Sequence, residues 1–166
     1  LVIRRITSKI PGFEELKLPK LMEKLSLEKR GLILICGITA SGKSTTLASM
    51  VDFRNRTMDG HIITIEDPIE FYHEHKLGII TQREVGIDTV SYSAAMKNAL
   101  RQKPDVILVG EIRYPDVMIQ AIAAAETGHL CYATLHTSNA AQTVERIINF
   151  FPEERHKQVR IALAMN

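Results

Sequence analysis

The chain has 166 residues, 45% of them hydrophobic and 24% charged, which is the composition of a globular domain large enough to bury a core without disulfide or metal staples. Its 21 basic and 19 acidic residues leave a formal net charge of +2 with no basic block, so a nucleic-acid partner is not expected. No stretch approaches the roughly 20 apolar residues that span a bilayer, and Leu1-Val2-Ile3-Arg4-Arg5-Ile6 lacks a signal-peptide layout, so a cytoplasmic location without a transmembrane segment is expected.

Residues 1–30 hold the turn-prone Ile10-Pro11-Gly12 and then Leu16, Leu18, Leu21, Leu25 and Leu27 among charges, a pattern of linker followed by amphipathic helix. The run Leu32-Ile33-Leu34-Ile35-Cys36 reads as a strand covered on both faces of a parallel sheet. Directly after it, Gly37-Ile38-Thr39-Ala40-Ser41-Gly42-Lys43-Ser44 fits G-x-x-x-x-G-K-[ST], and residues 43–54 favour a helix. In that context loop N–H groups and the helix N-terminus face inward, a ready cradle for a phosphate chain. Lys43 is then placed for the β- and γ-phosphates, Ser44 for Mg2+, and Thr45 and Thr46 for further donors.

A second apolar run, His61-Ile62-Ile63-Thr64-Ile65, leads into Glu66-Asp67-Pro68-Ile69-Glu70, acids at the carboxyl end of a strand, where ligands sit in open α/β sheets. A helix near residues 93–101 precedes the strand Val106-Ile107-Leu108-Val109, and Glu111 follows at the equivalent place. Hydrolysis needs one carboxylate to orient or deprotonate water and another to hold the metal, and spacing alone does not assign them. A helix over residues 115–126 leads to Leu130-Cys131-Tyr132-Ala133-Thr134, which His129 and His136 frame; His136 again stands at a strand's carboxyl end and could hydrogen-bond a γ-phosphate oxygen. Two helices, residues 140–150 and 153–165, flank Phe151-Pro152. Cys36 and Cys131 lie within apolar runs and read as reduced, buried thiols. The alternation of strands and helices predicts an α/β layered fold.

Four separated motifs in order give a resemblance to the PilT/PilU branch of the secretion ATPase superfamily, the type IV pilus retraction ATPases. Gly37 to Ser44 resembles the Walker A box, Thr64-Ile65-Glu66-Asp67-Pro68-Ile69-Glu70-Phe71 the Asp box, Leu108-Val109-Gly110-Glu111-Ile112-Arg113 the Walker B box, and Glu126-Thr127-Gly128-His129 through His136 the His box. Gln82-Arg83-Glu84-Val85-Gly86 is a fifth similar run, and Glu145 to Arg155 looks closer to PilU than to PilT. The family commonly has Pro and Gly where this chain has Ile38 and Ala40.

The resemblance implies a RecA-like P-loop NTPase core, a mostly parallel sheet flanked by helices, over residues 31–166 and truncated at its C-terminal end, with residues 1–30 belonging to a preceding domain. It implies a Mg2+-dependent ATPase motor subunit for pilus retraction and twitching motility, with Gly37, Ile38, Thr39, Ala40, Ser41, Gly42, Lys43, Ser44 and Thr45 around the nucleotide. Glu70 is then the general base, Glu111 the Walker B acid and with Ser44 a metal contact, His136 the γ-phosphate contact, and Arg146 a charge partner. The implied partners are a homo-hexamer or mixed ring with a related ATPase, and an inner-membrane pilus platform protein. Two further readings are an accessory nucleotide-binding subunit that is not competent alone, and a type II/IV secretion or assembly ATPase. The latter usually carries a cysteine-rich zinc module, which two separated cysteines cannot build. A small-molecule kinase would need a lid and an acceptor pocket, for which there is no signal.

Overall fold

A computed structural model describes residues 9–166. The signal-peptide reading of the first residues and the start of the expected linker lie outside them. Five strands form one wholly parallel sheet: β1 (Gly31–Cys36), β2 (His61–Glu66), β3 (Ile79–Glu84), β4 (Val106–Val109) and β5 (Leu130–Leu135), in the spatial order β1-β5-β4-β2-β3. The helices are α1 (Leu21–Ser26), α2 (Lys43–Thr57), α3 (Tyr92–Ala99), α4 (Pro115–Glu126), α5 (Ala140–Ile148) and α6 (His156–Met165).

The continuous apolar runs divide cleanly between two faces because side chains in a strand alternate. Ile63, Ile65, Ile107, Val109, Cys131, Ala133 and Leu135 face a core closed by Ala95 and Met96 of α3, Met118 and Ala121 of α4, Ile147 of α5 and Val159 of α6. Their neighbours Ile62, Ile80, Val106, Leu108, Leu130 and Tyr132 face the opposite core, closed by Leu47, Met50 and Val51 of α2 and by Phe13. Met50 and Val51 are fully buried, each worth about 1.5–3 kcal/mol relative to exposure. Arg54 of α2 is buried as well, and its Nη1 donates to Ser26 O (3.0 Å) and Glu28 O (2.7 Å), closing the end of α1. Tyr132 Oη donates to the same Ser26 carbonyl at 3.0 Å.

Two features differ from the sequence reading. The amphipathic helix expected before β1 is present but short: Lys17 has φ 53° and Pro19 restrains Leu18, so six residues, Leu21–Ser26, are helical. Strand β3 had no counterpart in the sequence reading, because it is an edge strand with a polar run, Ile-Ile-Thr-Gln-Arg-Glu, in which only Ile80 is fully buried. Both cysteines are free thiols; Cys131 is buried, and burial pushes its thiol up to about 12.

Candidate active site

The strands end in register. Pairing of Cys36 with Leu135, of Val109 with Ala133 and of Ile65 with Val109 brings the loops after β1, β5, β4 and β2 to one edge of the sheet. A cavity of about 500 Å3 opens there, lined by Thr39, Ala40, Gly42, Lys43, Ser44 and Thr45 from the first loop, and by Glu66, Glu70, Glu111 and His136 from the others. Every acidic and histidine candidate taken from the sequence except His129 therefore faces a single space. His129 lies at the opposite end of β5, where its Nδ1 contacts Ala124 O (3.1 Å), a structural place.

The loop between β1 and α2 is closed by its own lysine. Lys43, the first residue of α2, is buried, and its Nζ donates to Gly37 O (2.9 Å) and Ile38 O (2.8 Å). Gly42 caps α2 in the left-handed region at φ 88°, a conformation that leaves the first helical N–H groups pointing outward as an anion-binding end. A side chain on Gly37 would press on the Ser41 side chain, which would have to turn away. Ile38 and Ser41 are exposed; Ile38 lines a shallower neighbouring depression with His136 and Arg146.

Ala40 has φ 61°. The left-handed conformation costs an L-residue about 1–2 kcal/mol, of which about 0.4–1 kcal/mol is offset because alanine restricts the unfolded chain more than glycine does. Ala40→Gly is thus expected to stabilise the fold by up to about 1.6 kcal/mol, read as a higher urea midpoint. A lower midpoint would contradict the strain.

Glu111 is held from both sides. Arg113 Nε and Nη2 reach Glu111 Oε2 at 2.8 and 2.7 Å, and His136 Nε2 lies 3.2 Å from Oε1. The backbone beneath is fixed by Gly110 N donating to Ile65 O (2.8 Å), Thr134 Oγ1 donating to Gly110 O (2.5 Å) and Ile112 N donating to Thr134 O (3.0 Å). A Cβ at Gly110 would stand within 3.4 Å of Ile65 O, Glu66 Cα and Tyr92 Oη, so glycine lets β4 approach β2 closely before the chain turns to Glu111. Arg146 Nη1 donates to His136 O (3.1 Å), tying α5 to this edge without pairing with a carboxylate in the cavity.

The two acids of the loop after β2 differ. Glu66 accepts from Thr64 Oγ1 at 2.7 Å and from Gln82 Nε2 at 3.4 Å, and burial raises its carboxyl above the usual range. Glu70 lies further along, half-buried at the cavity wall. Three wall residues escaped the sequence reading. Tyr92 contributes a phenol whose ionisation burial pushes up; Arg113 grips Glu111; the His73 imidazole is held neutral by burial, down to about 4, with Asp52 opposing the shift and Lys76 adding to it. Arg113 was within reach of sequence reasoning, as a cation two residues past a strand-end acid, whereas Tyr92 and His73 reach the site only through packing.

A family model described as type II/IV secretion system protein matches residues 5–165. The type IV pilus ATPase PilU of Pseudomonas aeruginosa is 57% identical over 166 residues, which are 100% of this chain and 44% of that protein. A protein of the same organism named type IV pilus retractation ATPase PilT is 50% identical over 163 residues, 98% of this chain and 47% of that one. Among solved structures, the pilus retraction motor PilT with bound ADP superposes with a TM-score of 0.95 at 51% identity, covering 98% of this chain and 47% of that chain. The match bears out the expected RecA-like P-loop core. The chain spans less than half the length of each of these relatives.

Proposed function

The chain belongs to the type II/IV secretion system protein family, and on that premise we propose that it is the nucleotide-hydrolysing core of a type IV pilus retraction motor, a Mg2+-dependent ATPase of the PilT/PilU kind. The observation that carries this reading is the convergence of the phosphate loop, Glu70, Glu111 and His136 on one cavity of about 500 Å3 at the carboxyl edge of the sheet. Residues 31–166 supply that core, and work on the pilus is done by a hexameric or mixed ring acting on a platform protein at the inner membrane. No helix among the described residues is long and apolar enough to cross a membrane.

Each residue has a task in this reading. Loop N–H groups and the α2 N-terminus bind the phosphate chain, and Lys43 Nζ exchanges its two carbonyl partners for β- and γ-phosphate oxygens. His136, set by Glu111, hydrogen-bonds the γ-phosphate and passes its loss to α5 through the Arg146 contact at its carbonyl. Glu70 takes the proton of the attacking water. Glu66 is the less available carboxylate, since burial raises its carboxyl above the usual range and its Oε1 takes donors from Thr64 and Gln82.

The donor set fits Mg2+. A hydroxyl on Ser44 and the carboxylate of Glu111 line the same cavity, hard oxygens of the type that this ion takes one or two at a time alongside substrate phosphates. Among the described residues no cluster of three or more His, Cys, Asp or Glu forms a metal cage, in keeping with an ion shared with its substrate. When bound, the ion neutralises charge that develops on the phosphates.

ATP turnover by the complete protein with Mg2+, abolished by EDTA and restored by added Mg2+, is the expected result. Absence of both turnover and nucleotide binding would overturn the reading. Binding without turnover would favour an accessory subunit, the alternative that the left-handed Ala40 in the phosphate loop supports.

A further inference from the structure

Strand β3 carries two side chains to which the proposed mechanism gives no task. Gln82 and Glu84 are two residues apart, so the alternation of the strand sends both toward the same side. There they take hold of the loop that follows β2. Ile69 N donates to Glu84 Oε2 at 3.0 Å, His73 N donates to Gln82 Oε1 at 2.8 Å, and Gln82 Nε2 donates to Phe71 O at 2.9 Å. The same amide nitrogen reaches Glu66 Oε1 at 3.4 Å. Glu70 is therefore bracketed: its neighbours Ile69 and Phe71 are both held, while its side chain faces the cavity.

This pattern is more than loop closure. Between β2 and β3 the chain runs for twelve residues without regular structure, and side-chain anchors stand in for the ladder there. The anchors from β3 hold residues 69–73, next to the acid, while Asn55 of α2 holds residues 74–78. Gln82 uses its amide as donor and acceptor at once, which neither a carboxylate nor an apolar side chain can do.

The geometry points to Gln82 and Glu84 as positioning residues for the Glu70 carboxylate, so that edge strand β3, distant from the phosphate loop in the sheet, sets the hydrolytic geometry. The inference rests on Glu70 being the base. Neither side chain lines the phosphate cavity, so both act through the backbone of the acid loop and not on the nucleotide.

The test compares steady-state turnover with separately measured nucleotide affinity, in the complete protein. Gln82→Leu is expected to lower kcat about 10- to 100-fold, the size of effect that a small misplacement of a catalytic group produces, with Kd changed less than about twofold. Glu84→Leu should lose kcat in the same way, whereas Glu84→Gln keeps an oxygen for Ile69 N and should stay near wild type. A purely structural role would lower the unfolding midpoint and leave kcat of the folded enzyme intact, and the Glu84→Gln rescue would vanish. If Gln82→Leu does not fold, Gln82→Glu gives the same reading, because it keeps the acceptor for His73 N and loses the donor to Phe71 O. Normal kcat in these variants, alongside an inactive Glu70→Gln, overturns the positioning role alone. Turnover that survives Glu70→Gln overturns the base assignment and this inference with it.

Discussion

Glu70→Gln is expected to lower kcat for ATP by about 10²- to 10⁴-fold, the usual worth of a positioned general base, while nucleotide binding is retained. Glutamine preserves the shape of the side chain and an oxygen that can still orient water. What it loses is the ability to take a proton as the water attacks. In free-energy terms the loss is about 2.7–5.4 kcal/mol of transition-state stabilisation, with no ground-state counterpart, because Glu70 follows β2, from which β4 and β5 separate the phosphate loop after β1. Single-turnover hydrolysis combined with equilibrium binding of a nucleotide separates the two. A loss smaller than about tenfold would move the base to another carboxylate, and Glu66 is then the nearest candidate on the same loop.

The second large effect is at Lys43. Lys43→Ala is expected to weaken nucleotide binding by about 10- to 150-fold, since a charge-assisted hydrogen bond is worth about 1.5–3 kcal/mol. The side chain is buried and its ammonium group already spans Gly37 O and Ile38 O, so its removal also frees two loop carbonyls that shape the cradle. Fluorescent-nucleotide titration measures the loss, and circular dichroism checks that the fold is intact. Affinity within about threefold of wild type, less than 1 kcal/mol, would mean that the backbone donors and the helix end carry binding without the lysine.

Local signals were sufficient where structure is local. The phosphate loop was recognisable because its backbone demands small residues at fixed offsets between a strand and a helix, and α2 begins at Lys43 as that spacing requires. The buried strands β2, β4 and β5 were recognisable from unbroken apolar runs. So was β1, although it stands at an edge of the sheet and is mostly half-buried, because its run is apolar throughout; strand β3, at the other edge, was hidden because its run is mostly polar and spends those side chains on neighbours. Lys17 and Pro19 broke the leucine pattern before β1, where backbone conformation overrode periodicity. Within the site, the acids and His136 were found because strand ends are places that sequence can mark. Tyr92 arrives from the start of α3 and His73 from an irregular loop, and only the folded sheet makes them neighbours of the phosphate loop.

The strand order β1-β5-β4-β2 makes the sheet a calliper. Its jaws are the phosphate loop after β1 and the acid loop after β2, and three inter-strand spacings of about 4.8 Å set them roughly 14 Å apart. The two intervening strands deliver His136 and Glu111 into the gap, so the spacing of the parts is counted out in hydrogen-bonded ladders. Connections on the far edge of the sheet can lengthen or shorten without changing that opening. A residue inserted into β4 or β5 cannot, because it would shift one graduation of the scale against the others.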